Sequence, residues 1–303
     1  PNQTHFINHY IPGNPISSMH VALRADSLAT RQRIDAQLLA KIIEAGPKKM
    51  TAYSFVKRLA DLGLELEANS TPEAIEFNLT GLTENLAEGA GLLFQAIANP
   101  DFSALNLKNA KWEVLNAQED TRENIMTYLD SLAEHHHYAR YQPAMKSKLF
   151  IKSVRRMKLS AIEQYHQASL SKGGAAIAIS GGVPASLARS IALTGSRNWP
   201  TGNAQKTSAL KAALRAVTRH ENRDASQTSF ILSWRAPGRL EPDFAAFAMA
   251  AQLLSNQLYK QYSFREESAP YSIFTDLKPT ENTGIFTLSL SVMPQFFDDS
   301  LLG

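Results

Sequence analysis

Three adjacent histidines, His135, His136 and His137, form the densest run of metal-capable side chains in the chain. Their spacing argues against a shared ion, because neighbouring helical residues diverge by about 100 degrees and metal ligands on one helix must recur a turn apart. They read as surface histidines. Ser180, followed by Gly181 and Gly182, puts a hydroxyl at a turn. Neither Gly-x-Ser-x-Gly nor Gly-Lys-Ser/Thr surrounds it, so a strand-end turn accounts for it better than a nucleophile or a phosphate cradle. Glu113, Glu119, Asp120 and Glu123 could supply paired acids, but on a long polar helix they read as a solubilising face. Gln37, Lys41 and Glu44 share one helix face, where Gln37 and Lys41 either line a remodelled pocket or form part of an exposed polar surface. Arg265 stands in a charged cluster with Glu266 and Glu267.

These residues sit in a chain of 303 residues, 44% apolar and 19% charged, which is long enough for two ordinary domains. The absence of cysteine excludes a disulfide framework, a thiol nucleophile and thiolate zinc ligands, and it suits an oxidising compartment as well as a reducing one. A bacterial periplasmic location is the favoured expectation. Apolar stretches such as residues 245–254 fall short of the roughly 20 residues that span a bilayer, so no membrane span is expected. Pro1 is not an initiator methionine and no charged-then-apolar leader precedes the first strand, so any targeting segment is expected to lie outside this sequence. The 31 basic and 28 acidic residues are scattered without a basic run, and nucleic acid is not an expected partner.

The elements that must hold the candidate residues follow from periodicity. Residues 17–25 alternate Met19, Val21 and Leu23 against His20, Ala22 and Arg24, a strand with one buried face. Residues 31–45 carry Ile34, Leu38, Ile42 and Ala45 on one helical stripe that Gly46 and Pro47 end. Thr51 caps a second helix that buries Phe55, Leu59 and Leu62, and strands follow near residues 65–69 and 74–82. Thr83 is expected to cap a helix ending at Asn99 and Pro100, and a long polar helix is expected over about residues 105–141. After an irregular stretch come a helix (160–168), a buried strand (175–180) and a helix (184–193).

A polar, Gly- and Ser-rich segment, 195–212, reads as a linker, giving domains of residues 1–205 and 206–303. The second repeats the plan of the first: strand 227–234, helix 242–259, then strands 272–276 and 284–292, offset by about 210 residues. Laying Ile75, Phe77 and Leu79 on Phe286, Leu288 and Leu290 preserves the buried phase of the strand. Mixed helices and strands without regular βαβ spacing predict α+β sandwich domains with mostly antiparallel sheets, the second incomplete, since only about 90 residues follow the linker.

Residues 62–102 hold a Gly-containing turn, an Asn-Ser strand, an apolar strand and a helix ending in Asn-Pro-x-Phe. This block resembles the M16 peptidase family, which includes pitrilysin, insulinase-like enzymes and mitochondrial processing peptidase. The segment after Met157 and the Leu-Glu-Pro-Asp-Phe start of the second-half helix are similar to it as well. The resemblance implies paired, homologous LuxS/MPP-like domains, and two such halves closing on an unfolded peptide with zinc in one of them. Active members carry His-x-x-Glu-His on the first helix and a glutamate on a later one. Anchored on Gly46, those positions hold Gln37, Ala40 and Lys41, and the later glutamate position is Ala117, at the end of Val114, Leu115, Asn116. None of the four side chains ligates zinc, and Lys41 brings a positive charge.

The resemblance thus implies an inactive member of a metallopeptidase family, inactive when alone, with no cofactor of its own and zinc in an active partner. Residues 264–272 resemble the segment through which the zinc-less half reaches the partner's substrate, which carries Arg265 and Tyr271 over as substrate-binding residues that orient the peptide and its oxyanion. This chain has five residues between that pair where the family usually has six, and Pro270 where the family has a small or apolar residue. The expected function is a non-catalytic subunit or half, in a heterodimer, that binds extended peptide and completes a zinc-bearing partner's active site. The alternative is an assembly scaffold with no part in proteolysis. A third reading, an independent hydrolase with a relocated site, has only scattered histidines and carboxylates behind it.

Overall fold

The computed structural model describes residues 4–25, 30–71, 73–137, 148–171, 173–201, 218, 227–263 and 272–294. In chain order the elements are β1 (His5–Tyr10), β2 (Ile16–Arg24), α1 (Thr30–Glu44), α2 (Ala52–Asp61), β3 (Leu64–Ser70), β4 (Ala74–Leu82) and α3 (Leu86–Ala98). They continue as α4 (Ala104–Glu123), α5 (Ile125–His137), α6 (Lys148–Arg156), α7 (Leu159–Ser169), β5 (Ala175–Gly181) and α8 (Ala185–Gly195). Last come β6 (Thr228–Ala236), α9 (Phe244–Ser263), β7 (Ser272–Pro279) and β8 (Gly284–Val292). The chain forms two compact units, residues 1–116 with 148–208 and residues 117–147 with 209–303. The fold is mixed α+β: among the described strands only β1 and β5 pair in parallel.

The first unit is built on a five-stranded sheet ordered β1-β5-β2-β4-β3. Period-two alternation sends Met19, Val21, Leu23, Ile75, Phe77 and Leu79 to one face, all fully buried, against α1 and α3. The other face carries polar and small residues, among them Ser18, whose hydroxyl lies 2.9 Å from that of Thr80 on the neighbouring strand. Helix α1 adds Ile34, Leu38, Leu39, Ile42 and Ile43, none with exposed surface, and α6 and α7 pack on it as well. Gly46 stops α1 at φ +109°, where a Cβ would sit 2.7 Å from Cγ of Phe55. Thr51 caps α2, its hydroxyl accepting from the Ser54 amide at 3.1 Å. Under α8, Trp199 lies edge-on to Phe94 with ring centroids 5.7 Å apart, 3% exposed.

The second unit holds a three-stranded antiparallel sheet ordered β6-β8-β7. Its register repeats that of the first unit. The pair Met19 and Leu79 becomes Phe230 and Leu290 under a shift of 211 residues, and the pair Val21 and Phe77 becomes Leu232 and Leu288. The third strand follows with a shift of 207, Leu66 opposite Leu79 becoming Ile273 opposite Leu290. Phe286, facing α9, packs edge-on against Phe247 and stacks with Trp234 at 5.9 Å. Yet Leu232 is 41% and Trp234 48% exposed, whereas Val21 and Leu23 in the first unit are fully buried. The opposite face of this sheet is covered by α5, which packs on β6 and β8, so Thr287, Ser289 and Ser291 are buried too.

Several expectations are corrected. Thr83 does not cap a helix: a 3-10 turn, Thr83–Asn85, precedes α3, and the Thr83 hydroxyl instead donates to Asn14 O at 3.0 Å and lies 2.7 Å from Ser17 Oγ. The long helix over 105–141 breaks at Asn124, whose Oδ1 accepts from the amides of Met126 and Thr127 at 3.1 Å and so starts α5 afresh. The irregular stretch contains α6, and β1 pairs beside β5 where no strand was expected. Most of the linker, residues 202–212, lies outside the described residues.

The unequal burial gives a direct check. Phe77→Ala empties a fully buried site and is expected to cost about 3–5 kcal/mol, whereas Leu232→Ala, already half in water, is expected to cost under about 1 kcal/mol. Urea unfolding of the two variants, followed by far-UV circular dichroism, measures both.

Candidate functional site

Gln37, Ala40 and Lys41 are brought together on α1 in the first unit. Ala40 is 1% exposed and belongs to the hydrophobic core, so that position is occupied by packing. Gln37 is half-buried, and its Oε1 is enclosed without a hydrogen-bond partner among the described residues. The Lys41 ammonium donates to Glu44 Oε2 at 2.6 Å and stands 3.7 Å from Glu113 Oε2 on α4. Of the two alternatives for Gln37 and Lys41, neither holds cleanly: the face is half-buried and paired, with the Lys41 side chain 31% exposed. Ala117 is exposed on α4 and belongs to the second unit. Arg265 and Tyr271 lie outside the described residues.

Coordination chemistry decides what the helix can do. An amide, two methyl groups and an ammonium offer no set of lone pairs for Zn²⁺, and the Lys41 charge repels a dication. Among the described residues no three His, Asp or Glu side chains are grouped so as to hold a metal ion. The residues present do not fit zinc, and no step of a hydrolytic mechanism passes through them.

Glu44 is the residue of that face to which sequence reasoning gave no role. It was visible as a neighbour of Lys41 on the same face, but nothing in the sequence shows what its second oxygen does. Oε1 accepts a hydrogen bond from the backbone amide of Ala68 on β3 at 3.0 Å. A single carboxylate thus joins the first helix to the edge strand beside it.

The histidines separate into different roles. The surface reading fails for His137, which is 6% exposed and lies 3.1 Å from Ser233 Oγ on β6, within the second unit. Burial lowers its pKa, the neighbouring His136 lowers it further, and the contact with Ser233 partly offsets both. His136 contacts His137 ring to ring, and the His135 side chain is outside the described set. His166, in the first unit, is 7% exposed and donates from Nε2 to Ile97 O at 2.7 Å. Burial lowers its pKa despite that bond. Ser180 sits 3.5 Å from His9 Nδ1 on the exposed side of β5, and among the described residues no third group orients the pair.

The chain is a mixed α+β fold with mostly antiparallel sheets, and Gln37, Ala40 and Lys41 on its first helix offer no set of zinc ligands. Residues 156–301 match the family model of the peptidase M16 inactive domain. The chain is similar to the non-peptidase homolog YmxG of Helicobacter pylori, 25% identical over 160 residues, which is 52% of this chain and 36% of that protein. It therefore spans little more than a third of the curated relative's length. Among solved structures it resembles the peptidase M16 inactive domain from Pseudomonas fluorescens, with TM-score 0.82 and 19% identity over 99% of this chain and 74% of that one. It also resembles a chain of complex III2 from Candida albicans, with TM-score 0.73 and 13% identity over 97% of this chain and 71% of that one. Over residues 156–301 the chain resembles the M16 peptidase inactive domain, and its sequence contains no His-x-x-Glu-His.

Two outcomes follow. After dialysis against zinc-containing buffer and gel filtration, mass spectrometry of the metal content is expected to find far less than one zinc per chain. For His166, whose folded pKa lies below its ordinary 6.5, the unfolded state binds the proton first. Stability is therefore full above that value and declines as pH falls below it. The urea midpoint is expected to drop between about pH 7.5 and about pH 5.5, and to drop less in His166→Gln.

Proposed function

We propose that this chain is a non-catalytic M16-type subunit or half that binds extended peptide and completes the active site of a zinc-bearing partner. The observation that carries the reading is the state of α1: its fold is kept while Ala40 is packed into the core and Lys41 is tied to Glu44. A helix remodelled this way supports a structural and positioning role in place of hydrolysis. The matching register of the two sheets under shifts of 211 and 207 residues supports two homologous domains, residues 1–205 of the M16 N-terminal type and 206–303 a partial C-terminal type. Arg265 and Tyr271 are the residues proposed to reach the partner's substrate, one by a charged guanidinium and the other by a phenolic donor, both suited to a developing oxyanion.

A second reading is favoured by one comparison. The structural likeness to a chain of complex III2 supports an assembly scaffold that takes no part in proteolysis. The two readings part on one experiment: the chain is combined with a zinc-bearing M16 partner and cleavage of a quenched fluorescent peptide is followed. If the chain completes the site, Arg265→Ala is expected to lower kcat by about 10²–10³-fold and Tyr271→Phe to lower it by a smaller factor, with the complex intact on gel filtration. Unchanged turnover for both variants, with the complex still formed, leaves the scaffold.

A further inference from the structure

The outer edge of β3 carries a second consequence of the remodelled α1. In the sheet order β1-β5-β2-β4-β3, β3 is an edge strand, with β4 its one partner among the described strands. The Leu82 amide donates to Gly63 O and the Thr71 amide to Ala74 O, which fixes these two cross-strand pairs as hydrogen-bonded ones. Bonded and non-bonded pairs alternate along an antiparallel ladder, so Glu67 and Asn69 bond to β4 while Leu66, Ala68 and Ser70 turn their amides away from it. An exposed edge of this kind is a template on which another extended chain can add itself.

Two of those outward amides are already taken by side chains of this chain. Ala68 N–H donates to Glu44 Oε1 at 3.0 Å, and Ser70 N–H donates to Asn69 Oδ1 at 2.9 Å. The Glu44 carboxylate is fixed in turn from its other oxygen by Lys41 Nζ at 2.6 Å, with Glu113 of α4 3.7 Å from the same ammonium. An added strand needs the Ala68 and Ser70 amides for its own carbonyls. To reach them it must displace a charge-assisted bond at Ala68 and a local amide bond at Ser70.

The geometry points to a closed edge: Glu44, held by Lys41, is an autoinhibitory cap that keeps extended polypeptide from adding to β3. Lys41, at a position where the family's zinc ligand stands, works here as the anchor of that cap. Strand addition at β3 requires Glu44 to withdraw, and the cap is independent of the part proposed for Arg265 and Tyr271 in a partner's site.

The test is amide hydrogen exchange, read residue by residue by NMR on the full chain, for wild type, Glu44→Ala and Lys41→Met. Glu44→Ala is expected to speed exchange at Ala68 by about tenfold or more, and Lys41→Met to speed it by a smaller factor. The amides of Glu67 and Asn69, bonded to β4, should keep their rates and report that the sheet is intact. An end-blocked alternating Thr/Val peptide is then added: it is expected to slow Ala68 exchange in Glu44→Ala and to leave wild type unchanged. Equal Ala68 rates in wild type and Glu44→Ala, or protection of Ala68 by the peptide in wild type, overturns the cap. Neither result bears on turnover by a partnered complex, so a failure here is distinct from a failure of the proposed function.

Discussion

The first unit depends on α1 having no exposed apolar surface. Ile34, Leu38, Leu39, Ile42 and Ile43 point in several directions around the helix, and all are fully buried. A helix lying on a sheet buries only one stripe by itself. The remaining residues need cover from elsewhere, and α6 and α7, distant in sequence, return to supply it. At about 1.5–3 kcal/mol for each such side chain, this burial is large beside the net stability of any domain.

That constraint separates the helix from its chemistry. The helix is held by hydrophobic contact with the sheet and with α6 and α7. Gln37, Ala40 and Lys41 therefore stand on it without disturbing the packing, and Ala40 joins it. The polar side of the helix is then free to take up other tasks. Here Lys41 and Glu44 tie it to the neighbouring strand, in a half-exposed setting where an ion pair by itself contributes at most about 1 kcal/mol.

Legibility in the sequence followed the strength of local pattern. The strands β2, β4 and β8 and the helices α1, α2 and α9 were readable because alternation or a helical stripe ran through them and glycine, proline or a threonine cap bounded them. The break at Asn124 was not, because no proline or glycine marks it and the side-chain cap becomes visible only in three dimensions. Helix α6 was hidden by its basic residues, Lys152, Arg155 and Arg156, among a few apolar ones. Of the site, spacing to Gly46 singled out Gln37, Ala40 and Lys41 in the sequence, but not the packing of Ala40 into the core. The burial of His137 could not be read there, since it depends on a strand 96 residues away, and neither could the reach of Glu44 to Ala68.

The three tryptophans are distributed so that the chain carries its own optical labels. Trp199 is enclosed beside Phe94 in the first unit, whereas Trp112 and Trp234 are 66% and 48% exposed. Indole emission shifts to longer wavelength when water reaches the ring, so the short-wavelength part of the native spectrum belongs to one residue. Loss of the core around α3 and α8 moves the colour of the emission. Rearrangement around the stacked Trp234 and Phe286 in the second unit changes chiefly its intensity, which lets the two units be watched separately in an unlabelled sample.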